Sequence, residues 1–156
     1  MSSIDKILSA DLSSLPDGKY YRVGIVCSEW NIEITTAMCN GAIKILQKAG
    51  VDTKNIFVCN VPGAFELPLA AQKIAKHSEI DGVICIGCVI RGETTHYDYI
   101  CNAAATGIMQ VGLNFNKPII FGVLTTENMQ QAIDRAGGKY GNKGEEAAYS
   151  LLKMLA

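Results

Sequence analysis

Charge is sparse in this sequence, and no block of one sign occurs. Charged side chains make up 19% of the 156 residues, and the formal net charge is −1. Nucleic acid and anionic membranes are therefore not expected partners. No apolar run approaches the roughly 20 residues of a membrane-spanning helix. The amino end, Met1-Ser2-Ser3-Ile4-Asp5-Lys6, lacks the basic start and apolar core of a signal peptide, so a cytoplasmic location is the expectation. There is one tryptophan, Trp30, and only two histidines, His77 and His96. No GxxxxGK[ST] and no GxGxxG occurs, which leaves nucleotide binding by those routes unsupported. No GxSxG occurs either, which leaves serine hydrolase chemistry unsupported.

Apolar residues are plentiful, at 49%, enough for a real core and against disorder. The length favours one domain over residues 1–156. Cysteine is abundant for such a chain: Cys27, Cys39, Cys59, Cys85, Cys88 and Cys101. Most lie in or at the end of apolar, strand-like runs, where a free thiol behaves as a small hydrophobe. Cys85-Ile86-Gly87-Cys88 has the spacing of a redox or zinc motif. Strand residues three apart point to opposite faces, however, so the pair does not converge on one metal. No metal site and no disulfide framework is expected.

Strand-like and helix-like segments alternate. Tyr20 to Cys27 reads as a strand, followed by Ile34, Met38, Gly41, Ala42, Ile45, Leu46 and Ala49 at helical spacing up to Gly50. Ile56 to Val61 is a second strand, broken by Pro62-Gly63 and followed by a helix from about Phe65 to Lys76. Pro68 fits only the first turn of that helix. Val83 to Ile90 is a third strand, and its helix carries Tyr97, Ile100, Ala104, Ile108 and Val111. A fourth strand spans Ile119 to Leu124. A short helix spans Thr126 to Arg135, stopped by Gly137-Gly138. After a glycine- and lysine-rich loop, Gly138 to Gly144, a last helix carries Ala147, Ala148, Leu151, Leu152 and Leu155. Lys6 to Leu12 reads as an extra edge strand. The alternation predicts an α/β fold: a three-layer αβα sandwich around a four-stranded parallel sheet, plus that amino-terminal edge strand.

In such folds ligands bind at the carboxyl ends of the strands. The loops converging there are Ser28-Glu29-Trp30-Asn31, Pro62-Gly63-Ala64-Phe65-Glu66, Arg91 to His96, and Thr125-Thr126-Glu127-Asn128. Trp30 reads either as a packing aromatic or as a platform for a planar heterocycle. Phe65 and Glu66 read as packing and first-turn residues, or as partners of ring N–H and hydroxyl groups. Gly92-Glu93-Thr94-Thr95 reads as a phosphate cradle of backbone N–H groups, as a helix cap of Thr95 with Asp98, or as both. As a cradle it requires the Glu93 side chain to point away. His96, beside a glycine turn at a strand end, is a candidate proton carrier, whereas His77 reads as structural. Arg91, Arg135 and Lys143 are candidate anion partners or solvated surface charges.

Four segments together resemble the lumazine synthase family of riboflavin biosynthesis. They are Val61-Pro62-Gly63-Ala64-Phe65-Glu66-Leu67-Pro68, Val89-Ile90-Arg91-Gly92-Glu93-Thr94-Thr95-His96-Tyr97-Asp98-Tyr99, Phe121-Gly122-Val123-Leu124-Thr125-Thr126-Glu127-Asn128, and Gln131 to Gly137 continuing to Gly141-Asn142-Lys143-Gly144. The resemblance covers about residues 20–155. It implies a flavodoxin-like fold and a transferase that needs no cofactor. The reaction joins 5-amino-6-(D-ribitylamino)uracil to 3,4-dihydroxy-2-butanone 4-phosphate, giving 6,7-dimethyl-8-ribityllumazine. It further implies that Trp30, at a position commonly Phe in the family, stacks on the pyrimidine. Ala64, Phe65 and Glu66 would hold the ribityl chain, and Cys88, Val89 and Ile90 would meet the uracil largely through backbone. Glu93 and Thr94 would offer N–H groups to the phosphate, completed by Arg135 and more weakly by Lys143. His96 would carry protons. Phe121 and Arg135 would come from an adjacent subunit of a homopentamer. The short Gly137 to Gly144 connection favours a 60-subunit shell, with riboflavin synthase a possible guest. The rival readings are a non-catalytic flavin- or phosphate-binding flavodoxin-like module, and an assembly protein with a degenerate site.

Overall fold

The computed structural model describes residues 14–156. The Lys6 to Leu12 segment, read above as an edge strand, lies outside the described residues. Four strands form one parallel sheet: β1 (Val23–Ser28), β2 (Ile56–Val61), β3 (Gly82–Ile90) and β4 (Ile119–Thr126), in the order β2-β1-β3-β4. β1 is buried along its whole length and β3 for its first seven residues, whereas β2 and β4 are half-exposed edges. Continuous apolar runs suit the two central strands because helices cover both of their faces.

Helices α1 (Ile32–Lys48) and α5 (Lys143–Leu155) cover one face; α2 (Leu67–Ala75) and α3 (His96–Phe115) cover the other. Ile34, Met38, Ala42, Ile45 and Leu46 form the buried stripe of α1, packed on Ile25, Ile84 and Ile86. On the opposite face, Leu67, Ala71, Ala104 and Ile108 pack on Val26, Val83 and Cys85. Each fully buried Ile or Leu contributes about 1.5–3 kcal/mol. The chain leaves α1 through Gly50, whose φ of +97° is a left-handed value that favours glycine. Pro68 sits in the first turn of α2, where its missing N–H costs nothing.

Three boundaries differ from the sequence-based expectation. β1 begins at Val23, because Tyr21 turns aside and donates its hydroxyl to the Leu155 carbonyl at 2.7 Å. β4 runs on through Thr126, and α4 (Met129–Arg135) starts later, capped by Asn128 Oδ1, which accepts from the Gln131 N–H at 2.9 Å. The glycine-rich stretch expected as a loop contains a small antiparallel hairpin, β5 (Ala136–Gly138) with β6 (Gly141–Asn142). Asn142 then caps α5, accepting from the Gly144 and Glu145 N–H groups at 2.8 and 3.3 Å. Cys85 and Cys88 face opposite layers, as their three-residue spacing requires. Among the described residues all six cysteines are free, and no helix is long and apolar enough to cross a membrane.

Candidate active site

The connection from β1 runs outward to β2, and that from β3 runs the other way to β4. The crevice between the carboxyl ends of β1 and β3 is thus the topological switch point of the sheet, where ligands of open α/β folds bind. Asn31 bridges it. This residue adopts the left-handed region at φ 59°, which asparagine tolerates better than most residues, and its Nδ2 donates to the Cys88 carbonyl at 3.0 Å. The sequence reading placed Asn31 only in a loop; its position just before a helix and just after a strand was the available signal.

Trp30 precedes it and is 65% exposed. Backbone bonds from Glu29 N–H to the Val61 carbonyl (2.8 Å) and from Trp30 N–H to the Pro62 carbonyl (3.0 Å) tie its loop to the end of β2. The indole lies against Gly63, where a Cβ would come within 2.5 Å of Trp30 Cε3. Gly63 N–H donates to Glu66 Oε2 at 3.0 Å, so one carboxylate oxygen serves the turn into α2. Ala64 is buried and Phe65 exposed. Cys88 and Ile90 pack into the layer of α1 and α5 and Val89 into the opposite layer, which leaves the β3 backbone at the crevice. Burial pushes the Cys88 thiol up to about 11 and that of Cys85 up to about 12, so both are neutral near pH 7.

The turn after β3 exposes Glu93, Thr94 and His96. Among the described residues, the N–H groups of Gly92, Glu93 and Thr94 have no acceptor, and that of His96 points to Thr94 Oγ1 at 3.4 Å. A run of unpaired N–H groups before a helix start suits an anion. The expected Thr95–Asp98 cap does not form: Thr95 has a helical backbone and makes no side-chain cap. Asp98 is drawn instead to Arg91 Nη2 at 3.3 Å, and Arg91 Nε bonds Glu127 Oε2 at 2.8 Å. Arg91 is therefore a committed structural cation rather than a ready anion partner.

Phe121, Arg135 and Lys143 lie elsewhere. They line a cavity of about 520 Å³ along the β4 edge, with Thr125, Gln131 and Tyr140. The Arg135 guanidinium sits 5.2 Å from the Tyr140 ring centre. Lys143 Nζ is 3.3 Å from Glu146 Oε2. None of Trp30, Ala64, Phe65, Glu66, Cys88, Val89, Ile90, Glu93, Thr94 or His96 lines this cavity. The structure thus brings the candidate residues together as two groups, one at the switch point and one at the sheet edge. No group of His, Cys, Asp and Glu among the described residues is arranged to hold a metal.

Comparison with known proteins bears on both groups. A family model for 6,7-dimethyl-8-ribityllumazine synthase matches residues 20–156. A protein of that name from Cytophaga hutchinsonii is 56% identical over 156 residues, covering 100% of this chain and 98% of its own. One from Porphyromonas gingivalis is 53% identical over 144 residues, 92% of this chain and 89% of its own. One from Parabacteroides distasonis is 49% identical over 145 residues, 93% and 91%. With the parallel sheet, its covering helices and a family match spanning both residue groups, the chain belongs to the 6,7-dimethyl-8-ribityllumazine synthase family.

Proposed function

We propose that this chain condenses 5-amino-6-(D-ribitylamino)uracil with 3,4-dihydroxy-2-butanone 4-phosphate, releasing phosphate and water and forming 6,7-dimethyl-8-ribityllumazine. What supports the reading is that Trp30, in the loop after β1, and the unpaired amides of Gly92 to Thr94, in the turn after β3, both follow the carboxyl ends of the strands that flank the switch point, in a chain of this family. Trp30 stacks on the pyrimidine. Ala64, Phe65 and Glu66 hold the ribityl chain, and the backbone of Cys88, Val89 and Ile90 meets the uracil. The Glu93 and Thr94 amides bind the phosphate.

An amine adds to a ketone, water leaves, phosphate is eliminated, and a second condensation closes the ring. Each step needs alignment and proton transfer, and His96 carries the protons. Alignment supplies up to roughly 7–11 kcal/mol of barrier reduction. Acid–base help adds roughly 10²–10⁴-fold.

Phe121, Arg135 and Lys143 complete the site of a neighbouring copy, since they line a separate cavity along the β4 edge. Exposed apolar side chains support such assembly: Phe57 and Val58 on β2, and Tyr99, Met109 and Leu113 on α3. The expected assembly is a homopentamer built into a 60-subunit shell in the cytoplasm, able to take riboflavin synthase as guest. Mixing the purified protein with both substrates tests the activity: lumazine absorbance and fluorescence should grow with time. No spectral change would leave a non-catalytic flavin- or phosphate-binding module. Sedimentation tests the assembly, and a monomer would refute it.

A further inference from the structure

Arg91 is held on three sides. Its Nε donates to Glu127 Oε2 at 2.8 Å, its Nη2 lies 3.3 Å from Asp98 Oδ1, and its guanidinium carbon sits 4.3 Å from the centre of the Tyr97 ring. Its backbone N–H extends the β3–β4 pairing by bonding the Thr126 carbonyl at 2.8 Å. The side chain therefore closes the 92–97 segment on itself, joining the residue before the turn to the first turn of α3. It also pins the turn to the β4–α4 connection. Tyr97, whose ring the guanidinium faces, adds a side-chain bond to Thr125 of β4, whereas Gly92 has open space where a Cβ would lie and Thr95 makes no cap.

Two carboxylates face this one cation, so an incoming phosphate would have to displace one of them. The geometry points to Arg91 as a positioning residue: it fixes the 92–96 turn, and through it the Glu93 and Thr94 amides and His96, without itself binding the anion. This inference rests on the functional reading above. Glu127 belongs to the device, because its own N–H is set by Gln131 Oε1 at 2.8 Å, on the helix that also carries Arg135. The planar fork of arginine matters here. A lysine keeps the charge but cannot bond two carboxylates and stack on a ring together.

The test uses the full-length chain with Arg91→Gln, Arg91→Lys and Glu127→Gln. Both partners of the main ion pair are substantially exposed, and single exposed pairs contribute little to stability, so the variants should fold. In steady-state assays Arg91→Gln should raise KM for the phosphate-bearing ketone about tenfold and lower kcat by a similar factor, with KM for the pyrimidine within about twofold. Arg91→Lys should recover little of this. Glu127→Gln distinguishes positioning from direct binding by sign. Positioning predicts a higher KM for the ketone phosphate. A direct phosphate ligand predicts a lower one, because a competing carboxylate is gone.

Hydrogen exchange by mass spectrometry reads the turn without turnover. A peptide covering 91–101 should exchange about threefold faster or more in Arg91→Gln and Glu127→Gln, with a peptide covering 82–90 unchanged. Unchanged exchange in both variants, full rescue by lysine, or a lower KM in Glu127→Gln overturns the inference. Should the unaltered protein form no lumazine, the functional reading falls, and the exchange measurement still decides whether Arg91 orders the turn.

Discussion

The two residue groups are built in different ways. At the switch point, segments following all four strands are tied together: Asn31 to the Cys88 carbonyl, Trp30 to the Pro62 carbonyl, and Arg91 to Glu127 beyond β4, with Gly63 to Glu66 a local bond in the turn into α2. At the β4 edge, the side chains face an open cavity of about 520 Å³. There Arg135 has an aromatic neighbour and Lys143 a local acid. Groups whose bonds cross between elements are preorganised by the chain that carries them. One group is thus laced across several elements at the centre of the sheet, and the other lines an open cavity along its β4 edge.

Each half can be damaged separately. His96→Ala should lower kcat by roughly 10²–10⁴-fold, the usual share of acid–base catalysis, with substrate binding largely intact. Unchanged steady-state turnover would remove His96 from that role. Arg135→Ala should act on the other half, raising KM for the ketone phosphate as a lost charge-assisted contact does. If the halves come from different copies, co-expressing the two variants should restore roughly a quarter of wild-type activity, the random-mixing share of head-to-tail interfaces with both residues intact. Activity no higher than either variant alone would place both groups in one chain's own site.

The central strands were legible because Val23 to Cys27 and Val83 to Ile90 are runs without a polar residue, as strands of a doubly covered sheet are. The strand-end loops were legible from their polar and aromatic content. What sequence could not supply was the partner of each polar side chain. Thr95 and Asp98 have cap spacing, yet Asp98 goes to Arg91, which in turn reaches Glu127 across 36 positions. Asn31 reaches Cys88 across 57, and Tyr21 reaches Leu155 across 134. The β5–β6 hairpin escaped because three and two residues rich in glycine carry no alternation to read. Long-range competition for hydrogen bonds, rather than local propensity, separates the residues read correctly from those misread.

Smaller changes sharpen the contrast further. Gly63→Ala forces a methyl group to within 2.5 Å of the Trp30 ring, so the indole must shift. KM for the pyrimidine should rise by about tenfold, a misplacement effect, while KM for the ketone phosphate stays near its original value. Equal change in both would mean that the platform and the phosphate turn are not separable. The lumazine product carries the pyrimidine ring that Trp30 is proposed to stack on, so Trp30→Phe should weaken product binding, because the smaller ring offers less stacking area. A fluorescence titration showing equal affinity would refute that role for the indole.

The smallest effect concerns the floor of the first half. Burial raises the thiol of Cys85 to about 12 and that of Cys88 to about 11, against about 8.5 in an unfolded chain. The folded state therefore holds these protons more tightly than the unfolded one. Their stabilisation is complete below about pH 8.5 and is lost as pH climbs through the folded values. Denaturant midpoints measured from pH 8 upward should fall, and Cys88→Ser, with a hydroxyl that does not titrate in this range, should fall less steeply. Parallel curves for the two proteins would show that the β3 end opens to solvent before its thiol ionises.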